Sequence, residues 1–255
     1  MFTLLGPEAQ VMLAICAFYA YDACVPLAAD AGLLRRGRRV WHGLLATQGF
    51  EVRWAYLAWP ALLLPHQPVY TLRWDAERVH LPGDARAIES LRQHAKGFAG
   101  FAWPLYGLGA TLFMLLPAAL FLWPSEAAQL GCLALIYGFA FWIALLALRQ
   151  GRRGHTPRHT AHSVAVQAIL CPPFALNAVR KLSAAYSPPC DWLQAAHAVL
   201  EPGAWRDLAE RAQAVVETGM DQAQAEDNPQ TLQRLSAVLG ELQASIAASA
   251  DGHVQ

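Results

Sequence analysis

Two long apolar runs, residues 98–123 and 127–148, are separated only by the turn Pro124, Ser125 and Glu126. The first covers 26 positions and the second 22, and neither contains a charged residue. About 20 apolar residues cross a bilayer as a helix. Two such runs on either side of a short turn predict a transmembrane helical hairpin, and so an integral membrane protein. Composition agrees: 15% of residues are charged, against about 25% in soluble domains.

A third span is expected near the start, over residues 9–34 within a first segment 1–34. No Lys or Arg precedes Arg35, so the basic region of a cleaved leader is missing and this stretch reads as a retained anchor. Arg35, Arg36, Arg38 and Arg39 follow it. The positive-inside rule keeps that cluster in the cytoplasm and places the N-terminus outside. Arg92 and Lys96 precede the second span, and Arg149, Arg152, Arg153 and Arg158 follow the third. All three signals agree on one topology. The same arginines, Arg35, Arg36, Arg38, Arg39, Arg152 and Arg153, are candidates for contact with lipid head groups.

Residues 35–97 read as a small cytoplasmic or interfacial insert. It carries ten basic and five acidic residues. Residues 50–59 and 69–74 are rich in aromatic and β-branched types and predict two strands. Three prolines between them predict a loop. Trp41, Trp54, Trp59, Trp74, Tyr56 and Tyr70 suit a membrane interface. A short helix is expected over 85–96, with Ile88, Leu91 and Ala95 on one face.

Residues 149–182 combine a basic loop with an apolar stretch, 162–179, that is interrupted by Pro172 and Pro173. Tandem proline removes two backbone donors and clashes with the preceding turn. If this stretch spans, Arg180 and Lys181 lie outside. The expected reading is non-spanning, which leaves the tail cytoplasmic.

The tail, residues 183–255, holds ten acidic and three basic residues and reads as soluble and helical. One helix is expected over 204–219, carrying Leu208, Val215 and Val216. A second begins with Asn228 as N-cap and Pro229 in the first turn. Leu232, Leu235, Leu239, Leu242 and Ile246 then recur at spacings of three and four, a short heptad seam. The seam predicts a hairpin with the preceding helix, or else self-association through the C-terminal helix.

Polar residues inside spans are costly and are therefore candidate sites. Asp22 falls near the middle of the first predicted span, with Tyr19 one turn earlier. Asp30 lies about 12 Å further along the same face. Asn177 sits beside the proline break, where freed carbonyls and a half-helix end can bind a ligand. The alternative is structural: Asp22 accepts a hydrogen bond from Tyr19, Tyr106 or Tyr137, and Asp30 simply lies at the interface near Arg35. His155, His159 and His162 have helical spacing for a metal. Gly154 and Pro157 break that helix and the adjacent arginines repel a cation, so head-group contact is expected instead. The five cysteines show no C-x-x-C spacing and read as apolar filler. No hydrolase triad or phosphate-binding loop is present. No cofactor or metal is predicted, and basic residues that flank the apolar runs give no support for nucleic-acid binding.

The expected fold is an all-α polytopic membrane protein of three to four transmembrane helices, with a β-containing cytoplasmic insert and a C-terminal helical hairpin. The bacterial inner membrane is the expected location. Two function classes follow. The first is a membrane-anchored interaction or assembly subunit with the lipid bilayer and a protein as partners. The second is a small transporter or membrane-embedded enzyme built on Asp22 and the Pro172–Pro173 break.

Overall fold

The computed structural model describes residues 6–27, 31–37, 40–45, 56–58, 62–73, 81, 84–154, 156–188 and 190–251. The chain is mostly helical, with a small three-stranded sheet and a two-stranded pairing. It divides into two compact units. Met1–Val25, Ala58–Val69 and His94–Tyr186 form the first, and Pro26–Leu57, Tyr70–Gln93 and Ser187–Gln255 form the second.

Helix α1 spans Pro7–Asp22, with Pro7 at its start. Proline is pre-organised for that position. The helix stops at Asp22 rather than continuing to residue 34. Pro26 pushes Val25 out of the helical region and offers no backbone donor. The chain turns instead into strand β1, Val25–Leu27. Sixteen residues reach only about 24 Å, so the continuous helix expected over 9–34 is replaced by a shorter helix and two strands. Asp22 ends α1 rather than occupying its middle.

Strand β2, Ala31–Arg36, pairs antiparallel with β3, Trp41–Leu45, in the register Leu34↔Gly43 and Arg36↔Trp41. Strand β5, Val69–Arg73, lies on the other edge of β2. Strand β4, Tyr56–Ala58, pairs with β1. The two predicted strands thus correspond to β4 and β5, and β1, β2 and β3 are additions. Arg35 and Arg36 belong to β2 rather than to the end of a span, and the Arg36 guanidinium lies 5.9 Å from the Trp41 ring centre. Gly32 is needed in β2: a Cβ there would fall 2.1 Å from the Trp192 indole. Asp30, Arg38, Arg39, Trp54, Trp59, Trp74 and His155 lie outside the described residues.

Helix α2, Ala85–Lys96, has the expected bounds, and Ile88, Leu91 and Ala95 are buried. It leads through a 3-10 turn, Ala99–Phe101, into α3, Ala102–Ala110, and on through two π-helical turns, Thr111–Leu115 and Ala118–Leu122. Two local features disturb the ladder here. The Thr111 hydroxyl donates to the Gly107 carbonyl at 2.8 Å, and Pro117 brings no donor. After Ser125 comes α4, Glu126–Arg152. These two helices, Ala85–Leu122 and Glu126–Arg152, are long and apolar enough to cross a membrane, by length and composition.

They bury small residues beside Leu105, Leu108, Leu112, Ile136 and Ile143, and turn other large residues outward. Ala140, Ala144, Ala147 and Gly151 of α4 are buried, as are Ala161, Ala165 and Ala168 of α5, Arg158–Leu170. A Cβ at Gly151 would lie 2.6 Å from that of Ala161, and one at Gly107 would lie 2.4 Å from the Phe139 ring. Meanwhile Leu130, Leu133, Leu135, Phe141, Trp142 and Leu145 of α4 are exposed.

The expected 162–179 stretch is broken into α5, α6 (Pro172–Ala175) and α7 (Ala178–Ala184). Helix α5 has 13 residues, about 20 Å of helix, too short to cross a bilayer alone.

In the second unit, α8, Trp192–Val199, opens on a capping box between Asp191 and Gln194. Helices α9, Pro202–Ala225, and α10, Pro229–Asp251, form the predicted hairpin. Asn228 caps α10 by accepting from the Thr231 amide at 3.2 Å. Leu235 and Leu242 of the seam are buried, with Val238 beside them, and Leu232, Leu239 and Ile246 are half-buried.

Candidate functional site

The end of α1 and the start of α7 bring three of the four predicted polar residues together. Proline at positions 172 and 173 is the local cause. With no backbone donors there, α5 stops at Leu170 and the chain re-enters as the one-turn α6, whose first positions suit proline. The redirected chain then sets Asn177 under α1.

Asn177 is fully buried. Its Nδ2 donates to the Asp22 carboxylate at 3.0 Å and to the Tyr19 carbonyl at 3.3 Å. Its Oδ1 accepts from the Arg180 guanidinium at 2.5 Å. The Lys181 ammonium lies 2.6 Å from the other Asp22 oxygen. It also donates to the Gln167 side-chain carbonyl at 2.8 Å and sits 5.0 Å from the centre of the Phe174 ring. The Tyr19 hydroxyl donates to the Leu62 carbonyl, and the Phe18 ring meets Phe174 edge-on.

Both Asp22 oxygens are therefore engaged by side chains of the broken segment, and Lys181 is held on three sides. Arg180 is 3% exposed, so two cations and one carboxylate share a half-buried site. Such charges are stable out of water only when paired and hydrogen-bonded. The arrangement is a clamp: it ties α1 to α7 through charge, across the proline break. The partner of Asp22 is Lys181 with Asn177, not the hydroxyl of Tyr19, Tyr106 or Tyr137.

Sequence reasoning singled out Asp22, Tyr19 and Asn177 but used Arg180 and Lys181 only as topology signals. The signal that would have found them is the pairing rule itself, since an acid expected in an apolar span needs a cation. Arg152 at the end of α4 and Arg153 just after it are exposed, and His159 and His162 are exposed on α5. Among the described residues, no group of three or more His, Cys, Asp or Glu is placed to hold a metal.

A second buried polar group lies in the last turn of α2. His94 Nε2 is 3.2 Å from the Thr156 hydroxyl, and its ring stacks 4.1 Å from that of Tyr186.

No family model matches the chain, and neither does any curated protein or solved structure.

Proposed function

We propose that the chain is a membrane-anchored interaction subunit: α3 with its π turns and α4 form a transmembrane hairpin, and the acidic α9–α10 hairpin recruits a protein partner. The outward apolar surface of the helical unit carries this reading. Monomeric soluble proteins rarely expose a contiguous apolar patch beyond a few hundred Å². Here Met114, Leu115, Phe121, Leu122, Leu130, Leu133, Phe141, Trp142 and Leu145 are all exposed, and the closest helix approaches are made at Gly107 and Gly151, small residues of the kind that let helices pack in lipid. Trp103 and Trp123 are 83% and 71% exposed. Twenty residues separate them, about 30 Å of helix, which matches the hydrocarbon thickness between two interfacial aromatic belts.

The charge signals favour a bacterial inner-membrane orientation with residue 125 outside and the tail in the cytoplasm. The half-buried state of the heptad seam favours a partner docking on the acidic outer face of the hairpin over a zipper between copies. Asp207, Glu210, Glu217 and Asp221 are exposed there. The full-length protein, purified from its native membrane in mild detergent, is expected to retain a stoichiometric basic partner, identified by mass spectrometry. The variant D207K/E210K/E217K keeps the helices and loses that partner. Retention of the partner by this variant, or no partner on the wild type, overturns the reading.

The second reading, transport or catalysis at Asp22, is favoured by one observation: a charged cluster beside a broken helix. Asp22→Asn with full insertion and lost activity would support it.

A further inference from the structure

At the junction of α4 and α5 the chain reverses through Gly154, whose φ is +81°, and Pro157. A small pocket of about 80 Å³ opens there, lined by Leu148, Gly151, Arg152, Arg158, Ala161 and His162. It exceeds several-fold the roughly 10–15 Å³ that admits one water. Its floor is apolar, because Gly151 and Ala161 meet so closely that a Cβ at Gly151 would lie 2.6 Å from that of Ala161. Its rim is cationic. Arg152 and Arg158 are exposed, and among the described residues neither has an ion-pair or hydrogen-bond partner. Residues 149–162 contain four arginines and no acid.

Depth along the helix identifies the occupant. Leu148 is the last residue of the uncharged run of α4. The pocket begins at Leu148 and ends one turn beyond it, where hydrocarbon gives way to head groups. We infer that this pocket binds the phosphate of an anionic phospholipid between Arg152 and Arg158, with its glycerol and upper acyl chain against Leu148. The inference rests on the transmembrane reading above. Planar guanidinium groups suit phosphate oxygens, and basic pockets between helices on the cytoplasmic side are a known route to lipid-specific recognition.

The test uses full-length protein in two measurements. Flotation with phosphatidylcholine vesicles reports membrane insertion alone. Native mass spectrometry during titration with phosphatidylglycerol or phosphatidylcholine reports the pocket. The expected result is one phosphatidylglycerol per chain, retained over phosphatidylcholine. R152A/R158A weakens it roughly thirtyfold, and the charge-matched R149A/R153A only about threefold. R152K/R158K recovers part of the loss. Equal losses in the two alanine pairs, or no preference for phosphatidylglycerol, overturn the pocket while flotation stands. Displacement by inorganic phosphate at equal concentration overturns the lipid as source. Failure to float overturns the membrane reading beneath it.

Discussion

The Lys181 ammonium lies 2.6 Å from the Asp22 carboxylate, and the two residues belong to helices separated by most of the chain's first unit. Their side chains are 26% and 13% exposed, so the pair is partly desolvated. Removing one partner strands the other charge, which costs more than the pair itself contributes. Asp22→Asn is expected to destabilise the protein by about 1–3 kcal/mol, read as a shift in denaturant midpoint in detergent. The paired change Asp22→Asn with Lys181→Met recovers part of that loss, because the ammonium that lost its counter-ion is gone, while Arg180 keeps its bond to Asn177. A double variant as unstable as the sum of the singles would show that the two residues are not coupled.

Close helix contact makes a sharper contrast. Gly107 faces the Phe139 ring at a distance that leaves no room for a Cβ, and Gly138 of the same helical pair has open space. Gly107→Ala is expected to destabilise by about 1–3 kcal/mol through overpacking. Gly138→Ala is expected to be neutral or to stabilise by up to about 1 kcal/mol, since alanine is the better helix former. Thermal unfolding of the two variants side by side checks the α3–α4 contact. Equal effects would contradict the packing described.

The tail hairpin depends on the inner residues of its seam. Leu242 is fully buried and Leu239 only half-buried. Leu242→Ala is expected to cost about 2–5 kcal/mol and Leu239→Ala clearly less. Hydrogen exchange of α9 and α10 amides reports the difference. Trp205 offers a second readout, since its indole donates to the Ser245 hydroxyl at 3.0 Å across the hairpin.

Two groups in the second unit contribute to its pH dependence. Burial, with the charges of Asp191 and Asp84, pushes the Cys190 thiol up to about 11. The folded state resists ionising it, so this contribution is complete below the ordinary thiol range near 9 and is lost as pH rises towards 11. At pH 8 the native thiol is expected to be inert to maleimide, because only about one part in a thousand is thiolate. Burial against Trp205 lowers the pKa of His197. Its contribution is present above pH 6.5 and declines as pH falls through the depressed value. His197→Gln flattens that acid limb in a stability–pH profile.

What the chain reveals before folding varies by element for physical reasons. Helix α2 and the start of α10 were readable to the residue, because an amphipathic stripe and an Asn-Pro cap are local signals. The end of α1 was not. Apolar residues continue through Leu33 and Leu34, so periodicity alone runs helix and strand together. The decisive feature is Pro26, which expels Val25 from the helical region. Strands β2 and β3 were hidden for the same reason, and Gly32 and Gly43 weaken their strand signal further. In the clamp, Asp22 and Asn177 stood out as polar residues in apolar surroundings. Lys181 did not, because eight residues past the second proline of the break it looks like a flanking charge. Its role is set by the turn that α6 makes, a tertiary fact with no sequence spacing to mark it.

The most direct test of the transmembrane hairpin is cysteine accessibility in sealed membranes. Ser125→Cys and Thr160→Cys are placed singly in a chain whose native cysteines are replaced by alanine. Each is then exposed to a membrane-impermeant maleimide from one side at a time. The account predicts labelling of the two positions from opposite faces, since Ser125 follows the π turns of α3 and Thr160 lies beyond α4. Labelling of both positions from the same face would contradict it, leaving α3 and α4 as helices that lie on the bilayer or pack against another protein.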